Sequence, residues 1–367
     1  MRLAAIFLAV FSLAAIAAVV VGNVPLDYGY YLDQWRLVLS GQNPWSGNNA
    51  YGPLHNAFAL LAPLDPLLPK LFAAALLLIA NAALVLRYVR THPQNWIETY
   101  AIAFAVNPLV LVSAFWLGLN DGLVAALLIA AVLARQGDRL ILAGLLLGLA
   151  TLDKYYPALL IPFFAMDARR LEPRLVVSAT TTIAIGLVAA TAIWNTEWLD
   201  AITFGVSRDA TILSVLHPLT VLGRSNGFGD LADLFVRLNG PLVLIVWIGA
   251  IIVAYWRSDR WLTSATWGLF AVLLTYKVGN QQFWVCWLAL VACLPLLDDG
   301  NSARLARASL PYAIFLGLFE IGYVALTPQY YQGPWHWVVD WVGLPSFALG
   351  LLQLITYFRR PALRPAI

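Results

Sequence analysis

The chain has 367 residues, of which 61% are hydrophobic and only 11% charged, with a formal net charge of +3 and a mean hydropathy of +0.78. Soluble domains carry roughly 25% charged residues, so this composition excludes a protein that covers itself with polar surface in water, and the small net charge gives no basis for nucleic-acid binding. The bilayer is the expected solvent. The apolar runs are long and lack the alternation of barrel strands, so spanning segments must be helices that satisfy their own backbone.

Twelve apolar segments follow one another, at 3–21, 67–86, 97–117, 119–134, 140–152, 155–166, 174–194, 240–256, 261–276, 281–297, 308–327 and 337–357. They predict an all-α, polytopic membrane protein of about 10–12 spanning helices, organised as one domain over 1–367. The first segment reads as an uncleaved anchor, since its apolar run exceeds a typical signal core. The fifth and sixth are too short to span alone. They flank LDKYYP (152–157) and read as a pair that enters and returns, or as a broken helix. With the N-terminus placed inside, 15 of the 22 basic residues fall in the cytoplasmic loops, including RQGDR (135–139), ARRLEPR (168–174) and RSDR (257–260). This bias predicts cytoplasmic termini and two long outer loops, at 22–66 and 195–239. The expected location is the inner (plasma) membrane, with the functional face extracytoplasmic.

The first outer loop opens with DYGYYLDQW (27–35), helix-like to Ser40 and broken at Gly41 and Pro44. YGPLHNAFALLAPLDP (51–66) reads as a second short interfacial helix. Asp27 and Asp33 are six apart and do not share a helix face, so one of them at most points into a given site; both also fit as solvated loop acids. NPLVLVSAFWLGLNDG (107–122) puts Asn120 and Asp121 at an outer turn, where a plain turn role competes with a binding role. ATLDKYYPALLIP (150–162) places Lys154 at a helix break beside Asp153, Tyr155 and Tyr156. TYKVGNQQFWVCW (275–287) places Lys277 and Gln282 in another outer turn. Snorkelling is the alternative for each lysine. Cys286 and Cys293 lie seven apart, too distant along a helix for a disulfide, and read as core residues. No Cys/His metal spacing and no Gly-rich phosphate loop is present.

Acids, lysines, amides and aromatics thus gather on one membrane face, which suits a lipid-linked substrate with its polar head at the interface. The order of these motifs resembles the GT-C glycosyltransferases, membrane enzymes that use polyprenyl-phosphate sugars. The chain is similar to the bacterial mannosyl- and arabinofuranosyltransferase families and to the GPI mannosyltransferase that uses dolichyl-phosphate mannose. The resemblance rests on DYGYY (27–31), GQNPW (41–45) and YGPL (51–54), then on Asn107-Pro108 with Gly118 and Asp121, on Lys154 with Pro157, and on Lys277, Val278, Gln282 and Phe283. It implies a GT-C-like fold and Asp27 as catalytic base, with Asp33 in reserve.

Chemistry agrees with that implication. A base removes the acceptor hydroxyl proton as the oxygen attacks C1 with inversion, and cations stabilise the departing phosphate. Lys154, Lys277 and Arg224 suit the phosphate. Tyr28, Tyr31, Trp35, Asp121, Tyr155 and Gln282 suit the sugar or acceptor. The expected partners are a polyprenyl-phosphate-linked sugar donor, a lipid or glycan acceptor and membrane lipid. No cofactor is required, although Asp27 with Asp121 would suit a divalent metal. The competing function is a secondary transporter or lipid flippase, favoured by Glu320 inside an apolar run. A non-enzymatic scaffold is a third option.

Overall fold

All twelve apolar segments fall on helices in a computed structural model of the chain. The structure describes residues 2–22, 24, 26–46, 49–91, 93 and 96–359, without the side chains of residues 2–5, 7, 22, 26, 27 and 327–332. The elements are α1 (Arg2–Gly22), α2 (Leu26–Leu39), α3 (Pro53–Ala57), α4 (Leu68–Thr91), α5 (Trp96–Ala105) and α6 (Pro108–Trp116), followed by α7 (Asp121–Gln136), α8 (Leu140–Asp153) and α9 (Tyr156–Ala165). A two-residue hairpin, β1 (Met166–Asp167) with β2 (Arg170–Leu171), leads into α10 (Pro173–Trp194). Then come α11 (Leu199–Ser207), α12 (Leu216–Ser225), α13 (Gly229–Arg257), α14 (Trp261–Thr275), α15 (Gln281–Leu297), α16 (Gly300–Gln332), α17 (His336–Trp341) and α18 (Gly343–Phe358).

Among the described residues, five helical stretches are long and apolar enough to cross a membrane: α4, α10, α13, α16 and the α17–α18 pair. The bent pair α5–α6 makes a sixth. The protein is therefore an all-α integral membrane protein. The shorter apolar helices pack among these spans. Helix α1 is part of the bundle: Phe11 is fully buried, its ring 5.7 Å from Phe104 and 5.6 Å from Phe115. At the centre, Phe270 of α14, Trp284 and Trp287 of α15 and Tyr312 of α16 form one aromatic cluster, with Tyr312 lying 4.9 Å from both Phe270 and Trp284. Such offset and edge contacts add to the area each ring buries.

Three boundaries differ from the sequence expectation. The 97–117 segment is not one rod: it bends by 43° between α5 and α6. Pro108 removes a backbone donor there, and Asn107 takes over the freed groups. Its Oδ1 accepts from Leu109 N at 3.0 Å, and its Nδ2 donates to Ile102 O at 3.1 Å and to Ala313 O of α16 at 3.0 Å. Helix α13 starts at Gly229 and runs through Pro241, so the second outer loop is shorter than 195–239 and itself holds two helices. A proline inside an apolar run reads as a boundary, but neighbouring helices can absorb it in a bundle. Helix α16 likewise starts at Gly300, ahead of its apolar run.

The polar loops segregate to two ends. At one end Arg260 pairs with Asp167 at 2.9 Å, Arg135 Nε donates to Phe164 O at 3.2 Å, and Gln136 donates to Leu296 O at 3.0 Å. This joins the basic loops that charge counting assigned to one side. At the other end the α2–α3 loop, the α8–α9 break, the α11–α12 loop and the turn before α15 meet.

Candidate active site

Helices α7 and α8 form a hairpin with arms of 16 and 14 residues, so the first residue of α7 and the last of α8 lie at the same height. This brings Asp121 to Lys154. The Lys154 backbone is extended, which ends α8, and its Nζ donates to Asp121 Oδ2 at 2.6 Å. Both side chains are buried. The position of Asp121 at a helix N-terminus favours its negative charge. The ammonium is boxed by rings: Phe283 at 4.4 Å, Tyr51 at 5.5 Å and Tyr156 at 5.9 Å from their centroids, within cation–π range. The Tyr156 hydroxyl sits between Asp121 Oδ1, at 3.2 Å, and the Sγ of Cys286, so this cysteine touches the site rather than only filling the core.

Two cavities flank the pair. The larger, about 430 Å³, is lined by Lys154, Tyr51, Tyr155, Tyr156, Gln282 and Phe283 around the lysine and by aliphatic residues of α9, α11, α13 and α14 beyond, with Arg208 and Tyr276 also in its wall. It has the size and the mostly apolar lining of a ligand site. The smaller, about 20 Å³, has room for about one water. Tyr28, Tyr31, Trp35, His55, Asn120 and Asp153 line it. Here Tyr31 Oη donates to Tyr51 Oη at 3.0 Å and lies 3.5 Å from Asn120 Oδ1, and Asn120 Nδ2 donates to Asp153 Oδ2 at 3.2 Å. Asp153 Oδ1 and His55 Nε2 have no partner among the described residues. Burial, reinforced by the charge of Lys154, pushes the His55 imidazole down to about 3, so it is neutral.

The loop carrying Tyr51 is locked to α8. Gly52 N donates to Asp153 O at 2.9 Å, and a Cβ on Gly52 would stand 2.1 Å from Leu152 O, so only glycine lets the strands of chain approach this closely. Gly118 takes a left-handed φ of 65° to turn the chain from α6 into α7. A Cβ there would meet the Lys70 side chain at 2.8 Å.

The sequence matches Glycosyltransferase family 87 over residues 49–276. The chain belongs to this family. Family 87 is a membrane glycosyltransferase family of GT-C type, which meets the expected resemblance at that level and makes the protein a transferase with a sugar donor and an acceptor. No curated protein matches the chain. The matched region contains Tyr51, Asp121, Asp153, Lys154 and Tyr156.

For this family 87 member the structure sorts the sequence candidates into groups. Asp121, Lys154, Tyr155 and Gln282 meet at the larger cavity, Asp121 through its bond to Lys154. Tyr155 Oη also donates to Trp198 O at 3.3 Å. Lys277 and Arg224 line a third cavity of about 610 Å³, which adjoins the 430 Å³ cavity along Gly205, Val206 and Tyr276. Lys277 Nζ donates to Val206 O at 2.6 Å, and Arg224 is exposed and paired with Asp209 at 2.9 Å. The three expected phosphate cations are thus split between two adjoining chambers. Burial lowers the Lys277 pKa, opposed by Asp209.

Tyr28, Tyr31 and Trp35 are not open stacking platforms. They are 1–3% exposed and pack edge-on against one another, with Trp35 Nε1 donating to His55 O at 3.0 Å. Asp33 is exposed and pairs with Arg36 at 2.5 Å, away from all three cavities. Asp27 belongs to α2, but its side chain lies outside the described residues; so does the suggested Asp27–Asp121 metal pair. Among the described residues no three His, Cys, Asp or Glu side chains gather at one place. Asn120 is not a simple turn residue, since it leaves the cap unmade and bonds Asp153 instead.

The residues to which the sequence reading gave no role are Tyr51, His55, Asp153 and Tyr156. For Asp153 a signal was available in the near-equal arms of the α7–α8 hairpin, which set Asn-Asp (120–121) opposite Asp-Lys (153–154). Glu320, which had favoured a transporter, is fully buried in α16, with neither carboxylate oxygen partnered among the described residues. Family membership decides for the transferase.

Proposed function

We propose that this family 87 enzyme transfers a sugar from a polyprenyl-phosphate donor to a lipid or glycan acceptor on the extracytoplasmic face of the inner membrane, with inversion at C1. The observation that carries the reading is the 430 Å³ cavity, which has a boxed lysine and hydroxyls at one end and aliphatic walls at the other. A lipid-linked sugar has the same polarity along its length. The segregation of basic loops to the opposite end of the bundle supports placing this end outside. Mannose, or a similar hexose or pentose, fits the motif resemblance.

In the reaction the acceptor oxygen bonds to C1 as the C1–O bond to phosphate breaks. The polyprenyl phosphate leaves as a monoester with one more negative charge. Lys154 faces that charge while Asp121 holds the ammonium in place, so little reorganisation is needed as the charge grows. Lys277 and Arg224 add positive potential from the adjoining chamber. Asp27, at the start of the helix whose Tyr31 reaches Tyr51 and Asn120, is the proposed base that takes the acceptor proton.

The test uses the full chain in proteoliposomes, with radiolabelled polyprenyl-phosphate mannose in one arm and the arabinose analogue in another. Membranes lacking the gene supply acceptor. Transfer from one of these donors is expected, falling at least about 10²-fold in Asp27→Asn and little in Asp33→Asn. A wild-type rate in Asp27→Asn would remove it as the base, and transfer from a nucleotide sugar alone would sink the donor assignment.

A further inference from the structure

At the end of α7 opposite Asp121, about 22 Å away by helix rise, a groove of about 510 Å³ runs between α4, α7 and α8. Arg87 and Arg90, in the last turns of α4, and Arg139, at the start of α8, line its mouth. Small and aliphatic side chains, among them Ala83, Ala130 and Leu146, line its length. No carboxylate lines it, and among the described residues none of the three guanidiniums has an ion pair. The neighbouring Arg135 is different: it is buried and donates to Phe164 O. Helix α4 is long and apolar enough to cross the membrane, so its last turns lie at the level of lipid headgroups.

Three exposed cations that converge without a counter-charge, at the mouth of an apolar channel on a membrane-facing surface, complement one chemistry. We infer that this groove binds an anionic glycerophospholipid, its phosphodiester held by Arg87, Arg90 and Arg139 and an acyl chain laid along Ala83, Ala130 and Leu146. Guanidinium forks match phosphate oxygens two at a time, and basic pockets between spanning helices recognise anionic headgroups. The site is separate from the cavity at Lys154 and assigns the α4–α7–α8 unit a fixed lipid partner.

Native mass spectrometry of the solubilised full chain tests this, with phosphatidylglycerol, phosphatidylcholine or inorganic phosphate as probe. Wild type is expected to prefer phosphatidylglycerol over phosphatidylcholine by at least about tenfold. Arg87→Gln/Arg90→Gln/Arg139→Gln should abolish that preference, whereas Arg170→Gln/Arg174→Gln, at exposed arginines outside the groove, should keep it. Ala83→Trp retains every charge but fills the channel, and should weaken phosphatidylglycerol binding severalfold. The inference is overturned by preference surviving in the triple variant, by equal loss in the Arg170/Arg174 variant, by undiminished binding in Ala83→Trp, or by inorganic phosphate binding as tightly as the lipid.

Discussion

The two cavities beside the Asp121–Lys154 pair, one reaching Lys154 and the other Asn120 and Asp153, are built from opposite materials. The small one is closed by rings and amides that bond one another, with Tyr31, Asn120 and Asp153 in one chain of hydrogen bonds. The large one has most of its polar groups around Lys154 and otherwise leaves aliphatic walls apart. The first has almost no room and a rigid lining; the second has room and a lining that makes few demands. A transferase needs both, since preorganised charge stabilises a transition state only if it does not move, whereas a lipid chain needs space more than direction.

Breaking the ion pair should have the largest effect. Asp121→Asn leaves Lys154 buried without its counter-charge, a change that costs about 3–5 kcal/mol in comparable buried pairs. Both the unfolding midpoint and the transfer rate should collapse. The double variant Asp121→Asn/Lys154→Met removes the orphaned charge and should regain most of the stability while remaining inactive. Thermal melts in detergent beside the proteoliposome assay separate the two outcomes, and recovery of activity in the double variant would mean the pair serves only the fold.

A narrower change sharpens the contrast from the roomy side. Val243 lines the large cavity from α13 and is only partly buried. Val243→Trp should raise KM for the proposed lipid-linked donor about tenfold, since a ligand pocket is filled, and leave the melting temperature close to wild type. An unchanged KM would show that the donor lies elsewhere.

An effect confined to acid pH comes from the tight side. His55 stays neutral in the fold down to about pH 3, while an unfolded histidine takes up a proton near 6.5. Above the unfolded value it contributes no pH dependence. As pH falls below that value the unfolded chain binds the proton and the fold does not, so stability declines. Between pH 7 and pH 5 the loss is about 2 kcal/mol. His55→Gln should flatten that slope, measured as the melting temperature against pH.

Much of this architecture is legible in the residues alone, because in a bilayer apolar length dictates helix position. What escaped were features set by contact between distant segments. The bend at Asn107-Pro108 is bonded to a carbonyl of α16 and lies inside what reads as one unbroken apolar run. Pro241 reads as a boundary, but α13 runs through it. In the site, Lys154 stood out as a charge at a helix break and Asp121 as an acid at an outer turn, but their bond follows from the near-equal arms of the α7–α8 hairpin. Tyr28, Tyr31 and Trp35 read as interfacial aromatics by composition; burial by α3 and α4 turned them into lining.

The amide of Asn107 carries a consequence for how the protein is made. It bonds a carbonyl 206 residues further along the chain. At synthesis rates of roughly 5–20 residues per second, about 10–40 s separate the two partners. Throughout that interval the α5–α6 span sits in the membrane without this bond, its bend held by the local bonds of Asn107 and by Phe11 of α1. The last bond at the bend thus waits for a late-arriving helix, and the ribosome's pace sets when it forms.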